Sequence, residues 1–179
     1  MNDQSYYNIV AIGTAMIVLT AGFVGAMAKE GGVSSQASDA RTSYVNLTIA
    51  INSTTGVPQY APANFTVPTG KVVVRITDRD SPMAWAPCTC QVSGTVGGTE
   101  MVNGTPVSSV DPSNVAHTFT VSSLGLNVLS PGASIVSFVL ELSAPGVYSW
   151  FCLAPCGSNG YTGFPMGTPG YMTGTLTVS

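Results

Sequence analysis

The segment Tyr148-Ser-Trp-Phe-Cys152-Leu-Ala-Pro-Cys156 decides the fold, together with Gly170-Tyr-Met172 shortly after it. The first segment is typical of a strand that ends at a cysteine, because aromatic residues are enriched in strands. A loop of about twenty residues follows Cys152, and Met172 opens the last predicted strand, Gly174–Val178. The spacing therefore places a thiol and a thioether at the two ends of one loop.

The chain has a single histidine, His117, which lies in the predicted strand Val115–Val121. Thiolate and thioether on one loop, with imidazole from a strand beside it, form a ligand set that suits copper. Blue-copper sites take two histidines and one cysteine, so one histidine both indicates such a site and counts against it. A lone histidine on a strand is more often structural, and Met172 at a strand entry is more often part of a core. Met166 is a second candidate thioether.

Cys88, Cys90, Cys152 and Cys156 have two interpretations. In an exterior domain, four cysteines most simply form two disulfides. A bridge within Cys88-Thr-Cys90 would be strained, which favours pairing between that region and the C-terminal loop. Alternatively, Cys152 and Cys156 are thiolate ligands, since their spacing lets two sulfurs bridge two copper ions. Spacing alone favours the disulfides and leaves the metal interpretation open.

The composition indicates an exterior β-rich domain. The 179 residues are enough for one domain plus an anchor. Only 7% of them are charged, against about a quarter in a typical globular chain. Five basic residues and a net charge of −3 provide no electrostatic surface for nucleic acid, so we expect no nucleic-acid partner.

Alternating or β-branched segments separated by turn signals predict about seven strands and an all-β sandwich. Residues 56–69, which contain three prolines, are predicted to form a loop. Residues 81–116 form a long inserted loop with room for a short hairpin around Asn103-Gly104. The main predicted strands are Tyr44–Asn52, Lys71–Thr77, His117–Val121, Ile135–Leu142, Gly146–Cys152 and Gly174–Val178.

The N-terminal part is predicted to be a membrane anchor. Residues 9–28 are apolar or small and carry no charge, which is long enough for a transmembrane helix. We expect an anchor over residues 1–29, a flexible tether over residues 30–43 and the domain over residues 44–179, although Ala26-Met-Ala28 also resembles a signal-peptidase site. Lys29 alone would favour a cytoplasmic domain, but the cysteines and four glycosylation sequons favour the exterior face. The sequons begin at Asn46, Asn52, Asn64 and Asn103.

Other chemistry finds little support in the residues. Asp78 and Asp80 flank an arginine and are interpreted as turn formers rather than an acid–base pair. The sequence has no Ser-His-Asp order, nucleotide-binding glycine loop or zinc-type histidine pattern. We therefore expect no catalysis by this chain acting alone. Trp85 and Trp150 flank the proposed site in sequence and are either core residues or an electron-entry surface.

Two longer segments resemble the cupredoxin superfamily. Residues 72–80, Val-Val-Val-Arg-Ile-Thr-Asp-Arg-Asp, are similar to the strand that leads to the first copper histidine, and an insertion would separate them from His117. Residues 145–157 and 170–178 look like the ligand loop and the last strand. With the N-terminal helix, about 100 residues resemble subunit II of archaeal haem-copper terminal oxidases and the related sulfocyanins.

The resemblance implies a Greek-key β-sandwich on one transmembrane helix in the cell membrane, with the domain on the exterior face. It implies that His117, Cys152, Cys156 and Met172 fall on copper-ligand positions, while Gly157-Ser-Asn-Gly-Tyr161 replaces the family's second histidine. The family also contains quinol-oxidising members that keep the fold without the metal. The leading expectation is thus an accessory subunit with a degenerate or absent copper site. It would support electron transfer beside a haem-copper catalytic subunit, in contact with membrane lipid.

Three alternatives remain open from the sequence. The domain is a copper-binding electron carrier that uses His117, Cys152 and Met172, with or without Cys156. It belongs to an archaeal surface filament or adhesion protein, since many pilins join an N-terminal apolar helix to a Ser/Thr-rich β-domain. It is a subunit of another membrane enzyme, such as a monooxygenase or a sulfur-compound oxidoreductase.

Overall fold

The computed structural model describes residues 42–83, 85, 88–156 and 163–179, and these form two β-sheets around a shared core. The strand order is β2-β1-β4-β9-β5-β6 in the six-stranded sheet and β3-β11-β10-β7-β8 in the five-stranded sheet. The all-β prediction is confirmed. The strands are β1 Ser43–Ile51, β2 Pro58–Ala61, β3 Asn64–Val67, β4 Gly70–Asp78, β5 Glu100–Val102, β6 Thr105–Val107, β7 Val115–Val121, β8 Leu126–Pro131, β9 Ile135–Leu142, β10 Gly146–Phe151 and β11 Thr173–Val178.

The core forms where inward-facing residues of both sheets meet. In β4, Val72, Val74 and Ile76 are buried while the residues between them are more exposed, as the period-2 alternation of a strand requires. Phe119 and Trp150 of the other sheet stack with ring centroids 5.2 Å apart. Such aromatic pairs add to the stabilisation from buried area, and they hold the strands β7 and β10 side by side.

The six main predicted strands are present with bounds within two residues of those expected. The hairpin around Asn103-Gly104 is present as well, formed by β5 and β6. It joins the six-stranded sheet through β9, so the insertion extends a sheet instead of forming only a cover.

The predicted loop at residues 56–69 was wrong, because this region contains β2 and β3. The prolines there suggested a loop, but both strands lie at sheet edges, where a missing N–H donor is tolerated. The sequence interpretation also omitted β8, which is the edge strand at the other side of the five-stranded sheet.

The predicted anchor and most of the predicted tether lie outside the described residues. Among the residues that the structure does describe, no helix has the length and apolar character needed to cross a membrane. The four sequon asparagines lie at the domain surface: Asn46, Asn64 and Asn103 are exposed and Asn52 is half-buried.

Glu100 is a carboxyl group enclosed between the sheets. Its side chain is 1% exposed, and its Oε2 accepts a hydrogen bond of 2.9 Å from the Leu129 N–H of β8. Within the described part of the chain, its Oε1 has no hydrogen-bond partner. Burial raises the pKa of Glu100 to about 8, although the bond from Leu129 acts in the opposite direction. The folded protein therefore holds a proton here at neutral pH.

We expect Glu100→Gln to stabilise the fold at pH 8 and to leave stability near pH 4 almost unchanged. A carboxyl pKa raised from 4.5 to about 8 by folding gives stability that is complete below pH 4.5 and is lost as the pH rises to 8. The loss amounts to a few kcal/mol, at about 1.4 kcal/mol per pKa unit, and the amide does not ionise. Urea unfolding of both proteins between pH 4 and pH 9 measures the difference.

The exposed Glu141→Gln on β9 is the matched control and should follow the wild-type pH profile. If the stability of wild type and of Glu100→Gln depends on pH in the same way, folding does not raise the pKa of Glu100.

Candidate metal centre

Three neighbouring strands of the five-stranded sheet deliver the predicted ligands to one end of the sandwich. His117 lies on β7, Cys152 directly follows β10 and Met172 directly precedes β11. The Cys152 N–H donates a 2.9 Å hydrogen bond to the Met172 carbonyl oxygen, which closes the base of the ligand loop. Each of these side chains is at most 1% exposed, so the site is shielded from water.

The structure brings His117, Cys152 and Cys156 together. The His117 Nδ1 atom lies 3.0 Å from Cys156 Sγ and 4.0 Å from Cys152 Sγ. The two sulfur atoms are 3.5 Å apart, and all three donor atoms lie within 4.8 Å of one another. Met172 lies in the hydrophobic core together with Cys152 and Cys156, and half-buried Met166 packs against that core.

The cysteine pairing differs from the favoured prediction. Cys88 and Cys90 are bonded to each other, and their Cα separation of 5.1 Å falls within the usual range of about 4.4–6.8 Å. Pairing between the inserted region and the C-terminal loop is therefore a wrong expectation. Cys152 and Cys156 are free thiols. The thiolate-ligand interpretation, which spacing disfavoured, is the one that this geometry supports.

The electrostatics of the site favour a charged, proton-sharing group of side chains. Burial opposes a charge on His117, but the hydrogen bond to Asp80 and the neighbouring Cys152 outweigh it and raise the pKa of His117 to about 9. Burial also disfavours a Cys152 thiolate, yet hydrogen bonds from Cys156 and His117 bring its pKa well below the usual value. The Cys156 pKa is raised, first because it shares a hydrogen bond with Cys152 and then by burial.

Main-chain and side-chain groups around Cys152 fix its position. The Thr118 N–H lies 3.3 Å from Cys152 Sγ and donates to it. The Thr118 hydroxyl accepts a 2.7 Å bond from the Leu153 N–H, and the Thr118 carbonyl oxygen accepts a 2.9 Å bond from the Tyr60 hydroxyl. The residue after His117 thus connects the ligand strand to the ligand loop and to the core.

Asp80 is the site residue that the sequence interpretation missed. Its Oδ2 lies 3.0 Å from His117 Nε2, although it was interpreted only as a turn former. This hydrogen bond is the main cause of the lowered pKa of Asp80. A partial signal was present, because an acidic residue directly follows the strand that is similar to one leading to a copper histidine.

The two tryptophans have different surroundings. Trp150 is fully buried, and its Nε1–H donates a 2.8 Å hydrogen bond to the Ala63 carbonyl oxygen, so it belongs to the core. Trp85 is half-buried and packs against the main core and against a second, smaller hydrophobic cluster. Residues 157–161, where the family's second histidine is replaced, lie outside the described residues.

Comparison with known proteins gives only a loose likeness to copper proteins. No protein-family model and no curated protein matches the sequence. Similar solved structures include auracyanin B, with a TM-score of 0.41 and 12% identity, covering 76% of this chain and 88% of that one. A dithionite-reduced auracyanin from Roseiflexus castenholzii has a TM-score of 0.40, 13% identity and coverages of 76% and 97%.

A variant of amicyanin in its reduced Cu(I) form at pH 4 is also similar, with a TM-score of 0.36, 14% identity and coverages of 76% and 82%. These structural neighbours are cupredoxins. Similarity at these TM-scores does not support a conclusion about function.

Proposed function

We propose that this domain is a cupredoxin-type electron-transfer module that holds copper at His117, Cys152 and Cys156. The observation that carries the proposal is the buried convergence of one imidazole nitrogen and two free thiols within 4.8 Å. Thiolates are soft ligands that select Cu(I), and imidazole suits copper as well. Met172, which lies in the hydrophobic core with both cysteines and directly precedes β11, is the candidate thioether.

The residues present fit a copper ion by donor chemistry. When bound, copper would supply one-electron exchange between Cu(I) and Cu(II). The chain itself keeps Cys152 ready as a thiolate, positions its sulfur with the Thr118 N–H and excludes water through burial. A rigid, dry shell of this kind controls the solvent access and electronic environment of a metal.

We expect the full chain, with its thiols reduced and then loaded with Cu(II) in detergent, to bind stoichiometric copper with an intense visible thiolate-to-Cu(II) band, and His117→Ala to lose both. The reason is that His117 supplies the nitrogen donor of the described cluster. Copper content, visible absorption and thiol titration test this, with loading by Zn²⁺ in parallel because thiolate–imidazole sites also suit zinc.

A wild-type protein that binds neither metal would reject the proposal. Unchanged copper binding by His117→Ala would also reject this assignment of ligands.

A metal-free domain is the second candidate function, and one observation favours it. The His117 side chain already has a partner for each ring nitrogen, because it lies within hydrogen-bonding distance of both Cys156 and Asp80. In that case the domain would cap a partner subunit, and His117→Ala would change only stability. Equal stability of the wild type with and without copper, and no colour, would support this alternative.

We further propose that the chain is a membrane-anchored accessory subunit of an archaeal respiratory complex. Support comes from the apolar residues 9–28 and from the sequence resemblance to oxidase subunit II. Its partners would then be membrane lipid and a haem-copper catalytic subunit, with the domain on the exterior face. Purification from native membranes with haem-containing subunits would support this assignment. Helical assemblies of this chain alone would favour a surface filament instead.

A further inference from the structure

Asp80 connects the two sheets at the candidate metal centre. It follows β4, a strand of the six-stranded sheet, whereas His117 lies on β7 of the five-stranded sheet. The contact between Asp80 Oδ2 and His117 Nε2 is 3.0 Å. The His117 side chain is fully buried, and that of Asp80 is 18% exposed. The other ring nitrogen, Nδ1, is the one that faces the two sulfurs.

Hydrogen bonds fix both the carboxylate and the main chain of Asp80. Its Oδ1 accepts a 2.8 Å hydrogen bond from the Ser81 N–H, which leaves Oδ2 directed to His117. The Asp80 N–H donates a 2.9 Å bond to Asp78 Oδ1, and Asp78 Oδ2 in turn accepts a 2.7 Å bond from the Ser130 hydroxyl of β8. The Ala133 N–H donates 2.8 Å to the Asp80 carbonyl oxygen. Main chain and side chain are therefore both fixed.

The backbone around this turn is closely packed. A Cβ atom added to Gly132 would overlap the main-chain nitrogen of Pro82 and the carbonyl carbon of Ser81. Only glycine lets the β8–β9 connection approach the turn so closely. The turn that carries Asp80 is thus pressed against the sheet that carries His117.

We propose that Asp80 is a positioning residue that fixes the His117 ring so that Nδ1 faces the sulfur pair, and that its charge tunes the bound copper. This inference rests on the proposed function. A ring whose Nε2–H is donated to a carboxylate presents its Nδ1 lone pair to a metal, and the carboxylate also increases the donor strength of the ring. A negative charge beside the ligand stabilises Cu(II) more than Cu(I), because Cu(II) carries the larger charge.

The competing interpretation is an ion pair that only joins the two sheets. Both interpretations predict lower stability when Asp80 is replaced, so stability cannot separate them. The relative affinity for the two copper oxidation states does separate them, since an ion pair that is merely structural would not affect it. The ring signal tests whether Asp80 holds the His117 ring.

The decisive experiment uses the full chain in detergent, carrying an affinity tag without histidine. Because the chain has one histidine, every imidazole signal in a ¹⁵N NMR spectrum belongs to His117. In the metal-free protein we expect a hydrogen-bonded, slowly exchanging Nε2–H. It should exchange rapidly in Asp80→Ala and remain slow in Asp80→Asn, whose amide oxygen can still accept the bond.

Copper affinity measures the second part of the proposal. We expect Asp80→Ala to bind Cu(II) roughly 10–100-fold more weakly, as for other residues that orient metal ligands. Asp80→Asn keeps the ring in place but should lower the Cu(II)-to-Cu(I) affinity ratio. Each tenfold decrease in the ratio of Cu(II) affinity to Cu(I) affinity raises the reduction potential of the bound copper by about 59 mV. Glu141→Gln, which removes an exposed charge on β9, should leave the potential and the ring signal unchanged.

The outcomes distinguish failure of this inference from failure of the proposed function. If wild type binds copper but the ring signal, affinity and potential are the same in Asp80→Ala, the ion pair is only structural and the inference is overturned. If wild type binds no copper while the ring signal depends on Asp80, the proposed function fails and the ring-positioning role stands. If the ring signal is independent of Asp80 in a protein without copper, both fail.

Discussion

Cys152→Ser is expected to remove the intense visible band of the copper-loaded protein and to lower its copper affinity by more than about 100-fold. A metal-ligand thiol contributes more than the residues that only orient ligands, whose loss costs roughly 10–100-fold. Serine keeps the size of the side chain, but its hydroxyl stays protonated and lacks the soft sulfur that copper prefers. Burial is outweighed by hydrogen bonds from Cys156 and His117, which lower the pKa of Cys152 and favour its thiolate form. Competition with a chromophoric Cu(I) chelator measures the affinity.

The matched control is the double variant Cys88→Ser with Cys90→Ser. It makes the same chemical change at the bonded pair, which contributes no donor to the cluster of His117, Cys152 and Cys156. Copper stoichiometry and colour should remain those of wild type. Loss of colour in the control, with colour retained in Cys152→Ser, would mean that copper binds at Cys88 and Cys90 instead.

Gly174→Ala is expected to destabilise the domain by about 3 kcal/mol or more. A Cβ atom at this position in β11 would overlap the Ala63 carbonyl oxygen and lie 2.8 Å from Trp150 Nε1. These are the two partners of the buried Trp150–Ala63 hydrogen bond. Overpacking typically costs about 1–3 kcal/mol, and an unsatisfied buried donor adds about 1–3 kcal/mol. Thermal unfolding should show a Tm lower by roughly 10 °C.

Gly167→Ala, in the ligand loop, is the control for the added methyl group. No described residue lies within 4 Å of a Cβ atom there, and its backbone needs no positive φ, so its Tm should be close to that of wild type. A Gly174→Ala protein with the Tm of this control would show that β3 and β11 can separate without loss of stability.

Local pattern was sufficient for the six main strands and for the order of the candidate ligands. Alternating or β-branched segments such as Ile135–Leu142 can be predicted as strands from sequence alone, because each residue's burial follows from its neighbours along the strand. The order of strand histidine, strand-end cysteine and loop methionine follows in the same way. The structure adds that β7, β10 and β11 are neighbours in one sheet, which brings His117 and the two loop cysteines together.

The parts that were missed depend on contacts between distant segments. Asp80 and His117 are 37 residues apart, and the only signal near Asp80 was the similarity of the preceding strand to one that leads to a copper histidine. The pairing of Cys88 with Cys90 was rejected on local strain, although these two residues are bonded while Cys152 and Cys156 join His117 in a separate cluster. The prolines in residues 56–69 suggested a loop because edge position cannot be read from one segment.

Under the proposed function, the parallel pairing of β1 and β4 sets the end of the domain at which electrons are exchanged. Ser43 pairs with Val72, and Ile49 pairs with Asp78, so β1 starts at the end of the sandwich remote from the sulfur cluster and runs toward it. Six residue steps along a strand span roughly 20 Å. A domain attached to an electrode just before Ser43 would hold the cluster at about that height above the surface. Its signal would then need a soluble mediator, which would dock at the far end.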